Sequence, residues 1–196
     1  MNPRKQYKNR RSIRLQNYDY SSPGEYFITI CTNNRECLFG DVVSGKMVLN
    51  ECGKIADEYW TQILHKYKNV FLDAFIVMPN HIHGIIGVES HPVGAIHELP
   101  LQDGNSDPET YRKQRRQMLL SKIIGWYKMN VAKQANILLN NTDNRFWQRN
   151  YFEHIIRNEK SFQRIQDYII NNPAQWEDDM NHPANIKIKR VDRSQS

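Results

Sequence analysis

Two β-branched, largely apolar runs, Val70 to Met78 and His81 to Val88, are separated only by Pro79-Asn80. This constrains the chain more than any other feature. Proline and asparagine favour a tight turn, so the runs are read as strands paired antiparallel across it. The second run opens His81-Ile82-His83-Gly84. Side chains alternate along a strand, so both imidazoles point to one face and Ile82 to the other. Neutral imidazole is the commonest metal ligand, and two on one rigid strand make half of a cation site. Gly84 allows another group to approach the strand closely.

The remaining elements follow from local pattern. Ser21-Ser22-Pro23-Gly24 is a turn, and Tyr26 to Thr32 reads as a first strand. Cys37 to Asn50 reads as a hairpin around Ser44-Gly45-Lys46. Ile55, Tyr59 and Ile63 recur every four residues, which predicts a helix over 51–67. A second helix is expected over about 116–135, and a strand-like stretch over 145–158. A last helix, capped by Asn158 or Ser161, should end at Asn171-Asn172-Pro173, because proline disfavours helix at the residue before it. This order predicts an α+β fold: a ferredoxin-like, RRM-like antiparallel sheet with helices packed on one face. One domain, residues 21–180, is expected. A basic arm (1–20) precedes it, a polar basic tail (181–196) follows, and 89–115 forms a long exposed loop.

The chain has 27 Lys+Arg against 21 Asp+Glu, a formal charge of +6. The excess favours a polyanionic partner, although a bland basic surface gives the same figure. Arg4, Lys5, Lys8, Arg10, Arg11 and Arg14 fall in the first fourteen residues with no acid among them. Such an arm can lie along phosphates, and a solubilising tail has the same composition. Cys31, Cys37 and Cys52 form no CxxC pair, which argues against a disulfide framework. No apolar run is long enough for a membrane span and no signal-peptide core opens the chain, so a cytoplasmic location is expected.

An isolated His-x-His is also what two ordinary core histidines present. With two histidines and no cysteine pair, a structural zinc site is not supported. Mg²⁺ or Mn²⁺, completed by a polar side chain, water and phosphate oxygens, suits the pair better. A tyrosine attacking a metal-bound phosphate would have a ligand at i+4 on its own helix. Tyr168 has Asn172 there, whereas Tyr127 has Val131, Tyr151 has Ile155 and Tyr111 has Arg115. A buried helix residue with an ordinary C-terminal asparagine gives the same spacing.

Met78-Pro79-Asn80-His81-Ile82-His83-Gly84-Ile85-Ile86 resembles the HUH motif of single-tyrosine transposases. Trp147-Gln148-Arg149-Asn150-Tyr151-Phe152-Glu153-His154-Ile155-Ile156-Arg157-Asn158, followed by Asp167-Tyr168-Ile169 and Asn171-Asn172-Pro173, resembles the REP-associated tyrosine transposases. The match spans about residues 20 to 180. The resemblance implies a divalent metal, Mg²⁺ or Mn²⁺, held by His81, His83 and Asn172. Many relatives carry glutamine where this chain has Asn172. It further implies Tyr168 as nucleophile, hairpin-forming single-stranded DNA as substrate, a covalent 5′-phosphotyrosine intermediate, and a monomer or homodimer. Candidate DNA contacts are Arg145, Trp147, Arg149, Arg157, Arg10 and Arg11, since aromatics alternating with arginines suit stacking on bases and pairing with phosphates. Two other readings use the same residues. One is a hairpin-DNA-binding module without catalysis. The other is a small metallohydrolase, for which the sequence offers no clear carboxylate beside the histidines.

Overall fold

The computed structural model of the protein describes residues 18–89, 116–141 and 145–185. Strand β1 (Gly24–Cys31) is followed by a hairpin, β2 (Gly40–Val43) and β3 (Lys46–Leu49), which forms a small sheet of its own. Helix α1 (Glu51–Lys66) follows, then β4 (Val70–Met78), β5 (His81–Val88), α2 (Leu119–Leu138), β6 (Phe152–Ile156) and α3 (Glu159–Asn171). The main sheet runs β4-β5-β1-β6, with every neighbouring pair antiparallel. Setting the small hairpin aside, its strands lie second, third, first, fourth across the sheet. That is the split β-α-β arrangement expected from the element order. Of the arm expected over 1–20, the loop expected over 89–115 and the tail expected over 181–196, residues 1–17, 90–115 and 186–196 lie outside the described residues. Tyr18 and Tyr20, assigned to the arm, instead pack against Tyr26.

Side-chain alternation gives the sheet two unlike faces. Tyr26, Ile28, Ile30, Ile82 and Ile86 are fully buried, in one core with Trp60 of α1 and Tyr127 of α2. Gly84 is required here. A Cβ at this position would lie 2.3 Å from Trp60 Cζ2, so the strand must be bare for the indole to lie against it. The indole also stacks on Phe75, with ring centroids 4.4 Å apart. The opposite face presents Phe27, Thr29, His81, His83 and Ile85, and α3 covers it through Ile165 and Ile169. The helices expected on one face are therefore α1 and α2, and the tyrosine helix closes the other.

Both ends of α3 bear on the site. Asn158 is its cap, its side chain accepting from Ser161 N at 2.9 Å. Regular helix stops at Asn171, as Pro173 requires. Asn172 nonetheless keeps helical angles (φ −57°, ψ −40°), and the chain tightens into a 3-10 turn, Asn172–Asp178. Among the described residues no helix is long and apolar enough to cross a membrane.

Candidate metal and tyrosine site

His81 and His83 stand at 0% and 2% exposure on the face covered by α3. Each Nδ1 is tied down. That of His81 lies 2.8 Å from Asn80 Oδ1, and that of His83 lies 2.8 Å from Thr29 Oγ1 on the neighbouring strand. Asn80 is itself held, donating to Asn181 O at 2.8 Å and to Arg35 O at 3.1 Å. An amide oxygen can only accept, so the His81 proton sits on Nδ1 and leaves a lone pair on Nε2. The Thr29 hydroxyl can accept from His83 in the same way. The two Nε2 atoms then face each other at 2.9 Å. If Thr29 donates instead, His83 carries its proton on Nε2 and hydrogen-bonds His81 Nε2 directly; if Thr29 accepts, the two lone pairs face each other, with Asn181 Nδ2 3.4 Å from that of His81, and a cation can take both.

Burial sets the charge state. It pushes His81 down to about 3, helped by the positive charge of Arg35. It pushes His83 well below its usual range, helped by His81 and opposed by Asp179. Both rings are therefore neutral at physiological pH, the form that ligates metals.

Tyr168 lies on the same side. Its hydroxyl is 3.2 Å from His83 Nε2, and its ring centroid is 5.2 Å from that of His83. At 37% exposed it is not the wholly buried helix residue of the rival reading. Burial pushes the phenol up to about 12, with the negative charge of Asp179 as the next cause. Asn172, one turn on, donates to Asp179 Oδ2 at 3.1 Å. Its own Oδ1 is buried without a partner.

Asp179 is the residue that sequence reasoning missed, and it supplies the carboxylate that seemed lacking. It is 7% exposed, and the Tyr168 hydroxyl donates to its Oδ2 at 3.4 Å. Ligand atoms of His81, His83 and Asp179 lie within 4.8 Å of one another. The 3-10 turn swings Asp179 back beneath the helix. Asn181 follows it inward, its N–H donating to Asp179 Oδ1 and its Oδ1 accepting from Arg35. Asp179 and Asn181 were expected in a polar stretch at the domain border; both are buried. Helical spacing gives no signal for it. A helical count carried past Pro173 would put Asp179 about 16 Å along the axis from Tyr168, so only the turn brings the two together. Arg35 reaches the site from a turn in which Asn34 and Arg35 both adopt left-handed angles (φ 52° and 57°), which side chains other than glycine rarely occupy.

Two imidazole nitrogens and a carboxylate make a donor set that fits a divalent cation, and the Asn172 amide, buried beside Asp179, keeps one oxygen without a partner.

Among the candidate DNA contacts one is corrected. Trp147 is 4% exposed, packs against Phe39, Phe146 and Tyr127, and donates from Nε1 to Lys128 O at 3.0 Å. It is a core residue with no face for a base. Arg145, Arg149 and Arg157 are exposed, and Arg10 and Arg11 lie outside the described residues.

No family model matches the chain. Among solved structures, it is similar to a REP-associated tyrosine transposase bound to a REP hairpin. The TM-score is 0.46 at 19% identity, over 84% of this chain and 73% of that one. A protein of Deinococcus radiodurans gives a TM-score of 0.43 at 16% identity, over 81% of this chain and 95% of that one. In sequence it is 43% identical over 171 residues to an uncharacterized protein of Haemophilus influenzae, covering 87% of this chain and 91% of the relative. With that identity across nearly the whole of both proteins, the chain belongs to the same family as the Haemophilus influenzae protein.

Proposed function

We propose that the protein is a metal-dependent single-stranded DNA endonuclease and strand transferase, a transposase of the HUH single-tyrosine type acting on hairpin-forming DNA. One observation supports this above the rest: the Tyr168 hydroxyl lies 3.2 Å from the imidazole of His83, within a cluster completed by His81 and Asp179. His81, His83 and Asp179 would hold the cation, with the Asn172 oxygen as a further donor. When bound, Mg²⁺ or Mn²⁺ would withdraw charge from the phosphate oxygens and favour the phenolate.

The chain's own groups do the rest. Thr29 and Asn80 fix the imidazole orientations. Phe27 stacks on His83 and edges against Tyr168, which restricts the phenol. Asp179 accepts from the Tyr168 hydroxyl and so lies where the phenolic proton can go. Tyr168 Oη attacks the scissile phosphorus. The bond to the 3′ oxygen breaks, that oxygen leaves as a 3′-hydroxyl, and the 5′-phosphate stays on the tyrosine. The phosphodiester energy is retained, so a hydroxyl from another strand can reverse the step without a nucleotide cofactor.

The test is incubation of labelled hairpin DNA with Mg²⁺ or Mn²⁺ and separation on a denaturing gel. A covalent adduct mapping to Tyr168, lost in Tyr168→Phe, is expected. A Tyr168→Phe protein that cuts as well as the parent refutes the assignment, and hairpin binding with no adduct indicates a binding module. The carboxylate of Asp179 also gives the small metallohydrolase the group it lacked. Metal-dependent hydrolysis of a simple phosphoester without DNA cleavage would favour that reading.

A further inference from the structure

Helix α3 has two chemically distinct flanks. At 100° per residue, Glu159 and Gln166 lie beyond the buried Ile165–Ile169 stripe on one side. There Gln166 donates to Asp73 Oδ1 of β4 at 2.8 Å. Lys160 and Arg164 lie on the opposite side, the side of Tyr168, spaced one turn (about 6 Å) apart and one turn from the tyrosine. This basic flank opens onto a cleft of about 750 Å³ between β6 and the start of α3. Its lining includes the exposed side chains of His154, Arg157, Lys160 and Arg164. Glu153, the acid in the lining, is 6% exposed, so cations set the charge of the accessible surface. Among the described residues, Arg157, Lys160 and Arg164 take part in no ion pair.

We infer that this cleft is a track for the phosphate backbone of single-stranded DNA, leading along α3 to Tyr168. The inference rests on the proposed function, which supplies the ligand class but no path. A strand in the cleft meets Arg157, Lys160 and Arg164 in turn before reaching the phenol. Three unpaired cations exchange solvent counterions for phosphates, which makes binding salt-dependent. The opposite flank, with Glu159 and Asp73, repels the backbone.

The experiment measures binding of a fluorescent hairpin DNA with a single-stranded extension, by anisotropy, from 50 to 200 mM salt in EDTA. Without metal, binding is read apart from cutting. The Arg157→Ala/Lys160→Ala/Arg164→Ala protein is compared with the parent and with a control losing two exposed cations elsewhere, Lys66→Ala/Lys133→Ala. The triple variant should flatten the log–log salt slope by about 2, at about 0.7 per phosphate contact, while the control stays parental. Unchanged thermal melting shows that the triple variant is folded. If it is folded and keeps the parental slope while the parent binds and cuts, the cleft is not the track and the functional reading stands. A parent that binds no hairpin DNA overturns both.

Discussion

Thr29→Val probes how the site is organised without touching a donor that would meet the cation. Thr29 Oγ1 lies 2.8 Å from His83 Nδ1 at 9% exposure. Valine keeps the shape and removes the hydroxyl. The Nδ1–H is then left in a dry place without an acceptor, which costs about 1–3 kcal/mol. The imidazole can escape by moving its proton to Nε2. That turns an N–H toward His81 Nε2 at 2.9 Å and removes the lone pair a cation would use. Either route weakens metal binding, and losing such a supporting hydrogen bond lowers affinity by about 10–100-fold. That is about 1.4–2.8 kcal/mol, the same range as the unpaired donor. The assay is Mn²⁺ titration followed by the electron paramagnetic resonance signal of the free ion, with urea unfolding alongside. Thr29→Ser, which restores the hydroxyl, should recover most of the affinity. A folded Thr29→Val protein that binds Mn²⁺ as tightly as the parent would refute the claim that Thr29 sets the tautomer.

Acid should destabilise the metal-free protein early. His81 and His83 titrate lower when folded than when unfolded, so the unfolded chain takes up protons first. The stability they contribute is present above about pH 6.5 and is lost as pH falls toward their folded values, at up to about 1.4 kcal/mol per pH unit for each. Urea midpoints in EDTA should therefore drop between pH 6.5 and 5, and a flat profile would contradict neutral burial of the pair. Asp179→Asn should raise the Mn²⁺ dissociation constant more than tenfold. It should also lower the Tyr168 pKa from about 12, read by ultraviolet titration; a phenol that moves up instead would contradict the contact. Gly84→Ala sets a methyl 2.3 Å from Trp60 and should cost about 1–3 kcal/mol in thermal or urea melts; a parental melt would show that the indole can retreat. Tyr168→Phe should bind hairpin DNA and melt like the parent, because its ring is 37% exposed and only the hydroxyl is lost; a large loss of stability would show a structural role instead.

Local periodicity accounts for what could be read from the chain alone. A strand repeats every two residues, so His81 and His83 had to share a face wherever that strand lay. A helix repeats every 3.6, so Tyr168 and Asn172 had to lie one above the other. The element order then led to the antiparallel sheet that places β5 at its interior. Contacts between segments distant in sequence have no such signature. Trp147 alternates with arginines like a surface residue, yet Phe39 and Tyr127 arrive from remote elements and bury it. Asp179 sits in polar sequence beyond a helix-ending proline. Its place beside the histidines depends on the 3-10 turn and on Asn181, Arg35 and Asn80 closing around it. Periodicity is a property of neighbouring residues, so it showed which side chains share a face; which faces meet depended on the packing of the whole fold.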